Sequence, residues 1–409
     1  MYSRRHFLFG MGAIALGQMT SGCSIRSNLN LKVRLLKNSI PPQLLKSFRK
    51  YRKKELEGRI NLKFKAETQL AELFRCLEIW QKESQKKDTP NKLVLPLRRL
   101  VRLSPPATPD LVTLGDYWLT GAIQENLIQP IDVKQLPLWK KLPPRWQELV
   151  KRDEKGQLSK SGQVWGAPYR WGCTAIAYNR KKFEAEGWDL PQDWDDLWRP
   201  ELGNRLSLLD SPREVIGLTL KKLGANYNSP NLEDVSKLKQ ELITLNKQVK
   251  LYSSDSYLQP LILEDTDIAV GWSTDFLSLK DTYPHIEVII PASGTALWVD
   301  MWVRPKVTPS PKSSSEKEDT LPLWQEWLNF CWQPQAAQQI SLFTPGSSPM
   351  VRTIAHSKLS QGIQDDPLVL PKESIWQESE FLLPLSSKTT QQYKDLWKRM
   401  REVKKASST

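Results

Sequence analysis

One carboxylate and three aromatic side chains stand where apolar, strand-like runs end and loops begin. They are Tyr117 in "GDYWL", Trp272 in "AVGWST", and Trp298 with Asp300 in "ALWVDM". Most of the 17 tryptophans must pack in the core, but strand ends are exposed positions. On a strand, Trp298 and Asp300 face the same side because they are two residues apart. An aromatic face beside a carboxylate can hold an amine by cation–π attraction and a charge-assisted hydrogen bond.

A second acidic stretch, "DSPREVIGLTLKKLGAN", follows the strand-like run "RLSLL" and begins at Asp210. We expect a helix to start here and Glu214, in its first turn, to face a cleft. Asp210 is expected to cap this helix through its backbone amides, with direct contact to a ligand left open.

The residues needed for catalysis are scarce. A catalytic site would need a nucleophile with its base, an acid–base pair or a metal cluster. The sequence has three histidines, His6, His285 and His356, and no CxxC pair. Glu214 and Asp300 as a glycosidase-like pair is the catalytic alternative, and the flanking aromatics favour binding over it. We therefore expect a binding protein, not an enzyme, with no cofactor and no metal.

Alternating strand and helix patterns are the elements that must position these residues. "PDLVTL" reads as a strand and "GDYWLTGAIQENLIQPID" as a helix and loop, and this rhythm continues along the chain. It predicts an α/β fold with open, mostly parallel sheets covered by helices. A length of 409 residues suggests two lobes. In open sheets of this kind, ligands bind beyond the carboxyl ends of the strands.

The N-terminus has the features of an export signal. Arg4 and Arg5 precede a mildly apolar stretch at residues 7–19, which is typical of twin-arginine export. That stretch is too short and too glycine-rich to remain as a membrane span, so cleavage is expected. It ends in "MTSGC", which resembles a lipoprotein cleavage box with Cys23 as the lipid attachment residue. Thr20 replaces the usual large aliphatic residue, so ordinary cleavage with an unmodified Cys23 is the alternative. We expect a periplasmic protein anchored to the membrane through Cys23.

The chain is basic, with a formal net charge of +14. The charge is spread over helix-like stretches and a proline-punctuated insertion near residues 86–102. Solvated faces and attraction to anionic headgroups near a lipid anchor explain it better than nucleic acid, which we do not expect as a partner. Cys76, Cys173 and Cys331 are scattered, so they are expected to be small buried hydrophobes with at most one disulfide.

Several longer blocks carry a family resemblance in their order and spacing. They include "PYRWGCTAIAYN", "SPREV", "IAVGWST" and "ALWVDMWVRP". From about residue 31 to residue 400 the sequence resembles the periplasmic spermidine/putrescine-binding proteins of bacterial ABC importers. The resemblance implies a monomer that captures a polyamine or related small cationic solute in an interlobe cleft and delivers it to a permease in the inner membrane.

The same resemblance implies a two-lobed venus-flytrap fold, each lobe a mostly parallel sheet flanked by helices. Hinge strands are expected near residues 172–177 and 299–301, with a third crossing near Ile354. The implied division is an export signal at 1–23, a linker at 24–30, lobe 1 at 31–172 and 300–354, and lobe 2 at 173–299 and 355–409.

The resemblance also implies binding residues. Those at positions of the family's polyamine box are Tyr117, Glu214, Trp272, Trp298 and Asp300. Glu214 and Asp300 would take an ammonium end, and the aromatic rings would enclose the methylene chain.

Other positions of the box are changed. Ser211 stands where the family has an acidic residue, with Asp210 one position earlier, and Lys37 and Ser39 stand where the family has polar and aromatic side chains. Lys37 would place a cation where a second ammonium is expected, so either it points away or the far end of the ligand is not a cation. Four alternatives for the ligand stay open: a shorter amine, an amino acid-like molecule, an anionic solute, or a polyamine in a shifted pose. The alternative for the function is a family member that has lost transport and has an interaction role.

Overall fold

The computed structural model describes residues 29–55, 60–88, 108–279, 282–306 and 322–406. The expected export signal, Cys23 and most of the basic insertion lie outside these residues. Among the described residues, no helix combines the length and the apolar character that a bilayer crossing requires.

Strands and helices alternate in the first part of the chain, as the sequence pattern predicts. These elements are β1 (Leu29–Leu36), α1 (Pro42–Glu55), β2 (Ile60–Glu67), α2 (Leu70–Asp88), β3 (Leu111–Gly115), α3 (Asp116–Gln124), β4 (Ile128–Gln129), α4 (Pro144–Val150), β5 (Lys151–Arg152), β6 (Gln163–Val164) and β7 (Ala167–Asn179).

The second part continues the alternation and ends in helices. Its elements are α5 (Arg180–Glu186), β8 (Leu206–Leu208), α6 (Pro212–Lys222), α7 (Leu238–Gln248), β9 (Val249–Tyr252), α8 (Gln259–Ile262), β10 (Ile268–Trp272), α9 (Ser273–Leu277), β11 (Ile286–Ile289), β12 (Ala296–Pro305), α10 (Leu323–Cys331), α11 (Pro334–Phe343), α12 (Gln361–Gln364), α13 (Glu373–Glu378), β13 (Glu380–Phe381) and α14 (Ser387–Ala406).

The main sheet has the strand order β2-β1-β3-β12-β7-β10-β8-β9. Its two outer parts are parallel, because β1 pairs in parallel with β2 and β3, and β8 does so with β9 and β10. In the middle, β12 and β7 are antiparallel to each other and to their outer neighbours. The part with β1, β2 and β3 (the β1 side) and the part with β8, β9 and β10 (the β8 side) are therefore each a parallel sheet. The two hinge strands, β7 and β12, join them.

The long strand β7 belongs to both sides of the molecule. Its first residues pair with β12, and Thr174–Tyr178 pair with β10. All 13 residues of β7 are buried. The expected hinge strands near residues 172–177 and 299–301 fall on β7 and β12.

The C-terminal part divides between two hydrophobic cores. Trp376 on α13 stacks on Trp146 of α4, with ring centroids 5.0 Å apart, and belongs to the core of the β1 side. Tyr393 and Met400 on α14 belong to the core of the β8 side. The predicted change of lobe near Ile354 remains a prediction, and these contacts favour a boundary after Phe381 instead.

Cysteines behave largely as small core residues. Cys173 and Cys331 are buried and Cys76 is half-buried, and all three are free. Burial raises the pKa of each thiol, so none is a reactive thiolate at neutral pH.

Candidate functional site

A row of side chains crosses the molecule along one face of β7. In register, Arg170 lies opposite Asp300 and Gly172 lies opposite Trp298 on β12, while Thr174 lies opposite Trp272 on β10. Alternate residues of a strand share a face, and so do residues directly opposite each other in an antiparallel pair. The register therefore brings Trp272, Trp298 and Asp300 to one surface, as the sequence predicts.

Gly172 gives the Trp298 indole its place on this surface. A Cβ atom built on Gly172 would lie 2.1 Å from Cζ2 of Trp298 and 2.5 Å from Oγ of Ser273. The indole therefore lies directly on the backbone of β7, and its Nε1 donates to the carbonyl oxygen of Cys173 at 3.4 Å.

We expect Gly172→Ala to displace this indole, lower the free energy of unfolding by about 1–3 kcal/mol and weaken ligand binding. Chemical denaturation and a binding titration measure the two effects. Gly203→Ala is the matched control, because a Cβ there would lie 3.4 Å from its nearest neighbour. Equal behaviour of the two variants would contradict the packing described for Trp298.

Glu214 lies at one end of the row, in the first turn of α6. The residue is 6 % exposed, and its Oε2 accepts a hydrogen bond from Oγ1 of Thr174 at 2.9 Å. Burial raises the pKa of the Glu214 carboxyl to about 7, and the Thr174 hydrogen bond, the positive charge of Arg213 and the Trp272 hydrogen bond oppose that rise. A buried carboxylate of this kind gains stability when a cation arrives beside it.

Asp300 lies at the other end of the row and is paired with Arg170. Its Oδ2 accepts hydrogen bonds from Nε and Nη2 of Arg170 at 2.9 and 2.5 Å, and both side chains are 3 % exposed. The guanidinium carbon of Arg170 lies 5.6 Å from the centre of the Trp298 ring. The sequence predicts that Asp300 accepts a ligand ammonium, whereas in the structure its charge is compensated by Arg170 on the neighbouring strand β7.

Two carboxylates near the row were not singled out from the sequence. Asp116 accepts a hydrogen bond from the Val299 amide at 3.2 Å, and burial raises the pKa of its carboxyl to about 7 although part of the residue remains accessible. Asp275, three residues after Trp272, accepts from the Tyr257 hydroxyl at 2.7 Å, and burial raises its pKa as well. Their positions directly after predicted strands were the available signal.

The prediction that Asp210 caps α6 is wrong. Ser211 occupies the N-cap position without a side-chain cap, because the helix begins at Pro212 and leaves Asp210 one residue outside. Oδ1 of Asp210 instead accepts from Nη1 of Arg401 on α14 at 3.0 Å, at the surface. Among the described residues the Ser211 side chain makes no hydrogen bond, and its ligand role remains a prediction.

The remaining predicted positions lie near the carboxyl ends of β1 and β3. Lys37 is exposed in the turn after β1, where its amide donates to the Glu67 carbonyl, and Ser39 is fully buried. Tyr117 is 78 % exposed and meets Trp118 edge to face. Among the described residues, no side-chain hydrogen bond or ion pair joins these three to the row of side chains, so their ligand roles remain predictions.

The chemistry of the row is that of a cation-binding surface. Glu214 lies beside the Trp272 indole, Asp116 accepts from the amide that follows Trp298, and Asp275 is linked to the Trp272 amide through the Tyr257 hydroxyl. The hydrogen bonds of Asp300 show it to be engaged by Arg170 rather than poised as a general acid. In the part of the chain that the structure describes, no group of three or more His, Cys, Asp or Glu residues could hold a metal ion. Such a surface suits a small organic amine.

Curated relatives align with half to two thirds of this chain. The spermidine/putrescine-binding periplasmic protein 1 of Haemophilus influenzae is 27 % identical over 274 residues, which cover 66 % of this chain and 70 % of that protein. The putrescine/agmatine-binding protein of Pseudomonas aeruginosa is 30 % identical over 218 residues, covering 50 % and 57 %.

Solved structures show the same fold. The spermidine/putrescine ABC transporter substrate-binding protein of Streptococcus pneumoniae superposes with a TM-score of 0.71 at 20 % identity, covering 92 % of this chain and 99 % of that one. The predicted two-lobed α/β fold is confirmed by this likeness. The family model described as bacterial extracellular solute-binding protein matches residues 107–373. The chain belongs to the bacterial extracellular solute-binding proteins.

Proposed function

We propose that this protein is the substrate-binding component of a bacterial ABC importer and captures an amine-bearing solute, a polyamine or a related small cationic molecule, in the cleft between its lobes. The observation that carries the proposal is Glu214, a buried carboxylate bonded to Thr174 of the hinge strand and beside the Trp272 indole. Relatives named as spermidine-, putrescine- or agmatine-binding proteins support this substrate class.

Binding at this place would couple capture to closure. Glu214 and Trp272 belong to elements of the β8 side, whereas Asp116 begins α3 on the β1 side. A cation held between them contacts both sides at once, and the conformation that provides both contacts is favoured by the ligand. The closed form would then deliver the solute to a membrane permease.

The location of the protein is part of the proposal. The twin arginine at residues 4 and 5 and the "MTSGC" segment support export and a lipid anchor on Cys23, with the monomer facing the periplasm. The periplasmic relatives support the same compartment. A family of solute-binding proteins supports binding without turnover.

A thermal-shift screen tests the proposed function. The full chain, purified as the host processes it, is heated with putrescine, spermidine, spermine, single amino acids or small anions at low and physiological salt. A ligand that binds only the folded state at a hundred times its Kd stabilises it by about 2.7 kcal/mol. We expect stabilisation by an amine-bearing solute; shifts with anions alone, or with nothing in the panel, would refute the proposal.

A further inference from the structure

Arg170 places a fixed cation inside the proposed binding surface. It lies on β7 four residues before Thr174, and both face the same side as the Trp298 indole. A Cβ on Gly346 would lie 2.9 Å from Cγ of Arg170, so the backbone at Gly346 fixes the arginine stem. The side chain is therefore held in the row rather than free to leave it.

The pairing with Asp300 uses only part of each group. Both hydrogen bonds go from Nε and Nη2 to the same oxygen, Oδ2. Among the described residues, Nη1 of Arg170 and Oδ1 of Asp300 make no hydrogen bond. Three N–H donors therefore remain, two on Nη1 and one on Nη2, on a guanidinium that already lies against the aromatic surface.

The two ends of the row differ in charge. At the Thr174 end, Glu214 offers a buried carboxylate to a cation. At the Arg170 end, the negative charge of Asp300 is compensated within the protein. The other carboxyl groups near that pair are Asp116 and Asp275, whose pKa values burial raises. A second ligand ammonium would meet the arginine there, whereas a ligand carboxylate would meet an unused N–H donor.

The spacing suits one small molecule. Four strand residues from Arg170 to Thr174 span about 13 Å between Cα atoms, and side chains shorten the gap between the charged groups. Gly172 and the Trp298 ring occupy the middle of that span. An aliphatic chain of a few methylenes would lie across the indole with one polar group at each end.

We propose that Arg170 determines specificity by selecting a ligand with a single ammonium and a carboxylate at the opposite end, an ω-amino carboxylate rather than an α,ω-diamine. The ammonium binds at Glu214, the methylene chain lies on Trp298, and the carboxylate accepts from Arg170. This inference rests on the proposed function, because it concerns the amine-bearing solute of the same site, and it narrows that class from polyamines to amines with a carboxylate at the far end.

Matched ligands of equal chain length test the far end alone. The four- and six-carbon α,ω-diamines, ω-amino carboxylic acids and n-alkylamines differ only in an ammonium, a carboxylate or a methyl group. Calorimetric titration of the full chain at pH 8 is expected to show the amino acid binding at least tenfold more tightly than the diamine of the same length. A diamine preference in the wild type would overturn the inference and leave the proposed function standing.

Arg170→Met tests the residue itself. With the guanidinium gone, Asp300 presents an uncompensated carboxylate, so we expect the preference to reverse, with the diamine gaining at least tenfold. Should this variant fail to fold, the neutral double variant Arg170→Met with Asp300→Asn carries the test, and its preference for the carboxylate must vanish. A retained preference in either variant overturns the inference.

The matched control breaks another buried ion pair away from the row. Nη1 of Arg52 lies 2.7 Å from Oε1 of Glu326, with 5 % and 10 % of the side chains exposed. Arg52→Met is expected to lower stability and leave the order of the three ligand types unchanged. A changed order of the three affinities in Arg52→Met would overturn the assignment to Arg170. If the wild type binds none of the ligands, the proposed function is refuted as well.

Discussion

Glu214→Gln is expected to weaken the binding of an amine-bearing ligand by about tenfold to a thousandfold, the scale on which a buried charge partner contributes. The amide keeps the shape of the side chain and an acceptor for Thr174, but it removes the charge that offsets the desolvation of the ammonium. Calorimetry at pH 8 measures the loss. Glu326→Gln, which changes a carboxylate of the Arg52 pair, is the control and should bind as the wild type. Unchanged affinity in Glu214→Gln would remove this residue from the site.

The same carboxyl makes binding depend on pH. Burial raises the pKa of Glu214 from 4.5 to about 7 in the ligand-free protein, and an ammonium binds its ionised form. An alkylammonium, with a pKa of about 10.4, stays charged over this range, so affinity falls about tenfold for each pH unit below 7. Between pH 8 and pH 5 we expect a loss of about a hundredfold, and a smaller dependence in Glu214→Gln.

The stability of the ligand-free protein should change in the opposite direction. Between pH 4.5 and about 7, the folded state binds a proton at Glu214 that the unfolded chain has released. Stability from this group is therefore fully present below pH 4.5 and is lost as pH rises through 7. Unfolding of wild type and Glu214→Gln at pH 5 and pH 8 separates this group from the others, and a larger pH loss in the variant than in the wild type would contradict the assignment.

The sequence predicts those parts of the site that depend on local pattern. Alternation on one strand places Trp298 and Asp300 on one face, and the proline-led start of α6 places Glu214 in its first turn. The predicted Asp210 cap is wrong because the helix starts one residue later than expected, and that shift decides which side chain can accept hydrogen bonds from the first backbone amides.

The Arg170–Asp300 pair could not be read from the sequence in this way. Its partners are 130 residues apart, and their contact depends on the register between β7 and β12. A shift of one residue in that register would turn Arg170 to the opposite face relative to Asp300. Arg170 belongs to the block "PYRWGCTAIAYN" that carries the family resemblance. Its pairing with Asp300, and therefore its role, follows only from the pairing of β7 with β12.

Asp300→Asn is expected to lower the free energy of unfolding by about 3–5 kcal/mol, because it leaves Arg170 buried without a charge partner. The sequence alone predicts a free Asp300 carboxylate that takes a ligand ammonium, and the principal effect of this change would then be a loss of affinity. With both side chains 3 % exposed and joined by two hydrogen bonds, the principal effect shifts to stability. Denaturant unfolding of the ligand-free protein measures it.

The double variant Arg170→Met with Asp300→Asn separates the pair from the packing. Removing both charges should recover much of the stability lost in Asp300→Asn, since a buried ion pair and a well-packed neutral pair often differ little in their net contribution. Additive losses would show that the two residues do not interact, and the charge pattern inferred for the ligand would fail with them. Recovery of stability together with loss of the carboxylate preference would show that one ion pair both holds the hinge strands together and determines which end of a solute they accept.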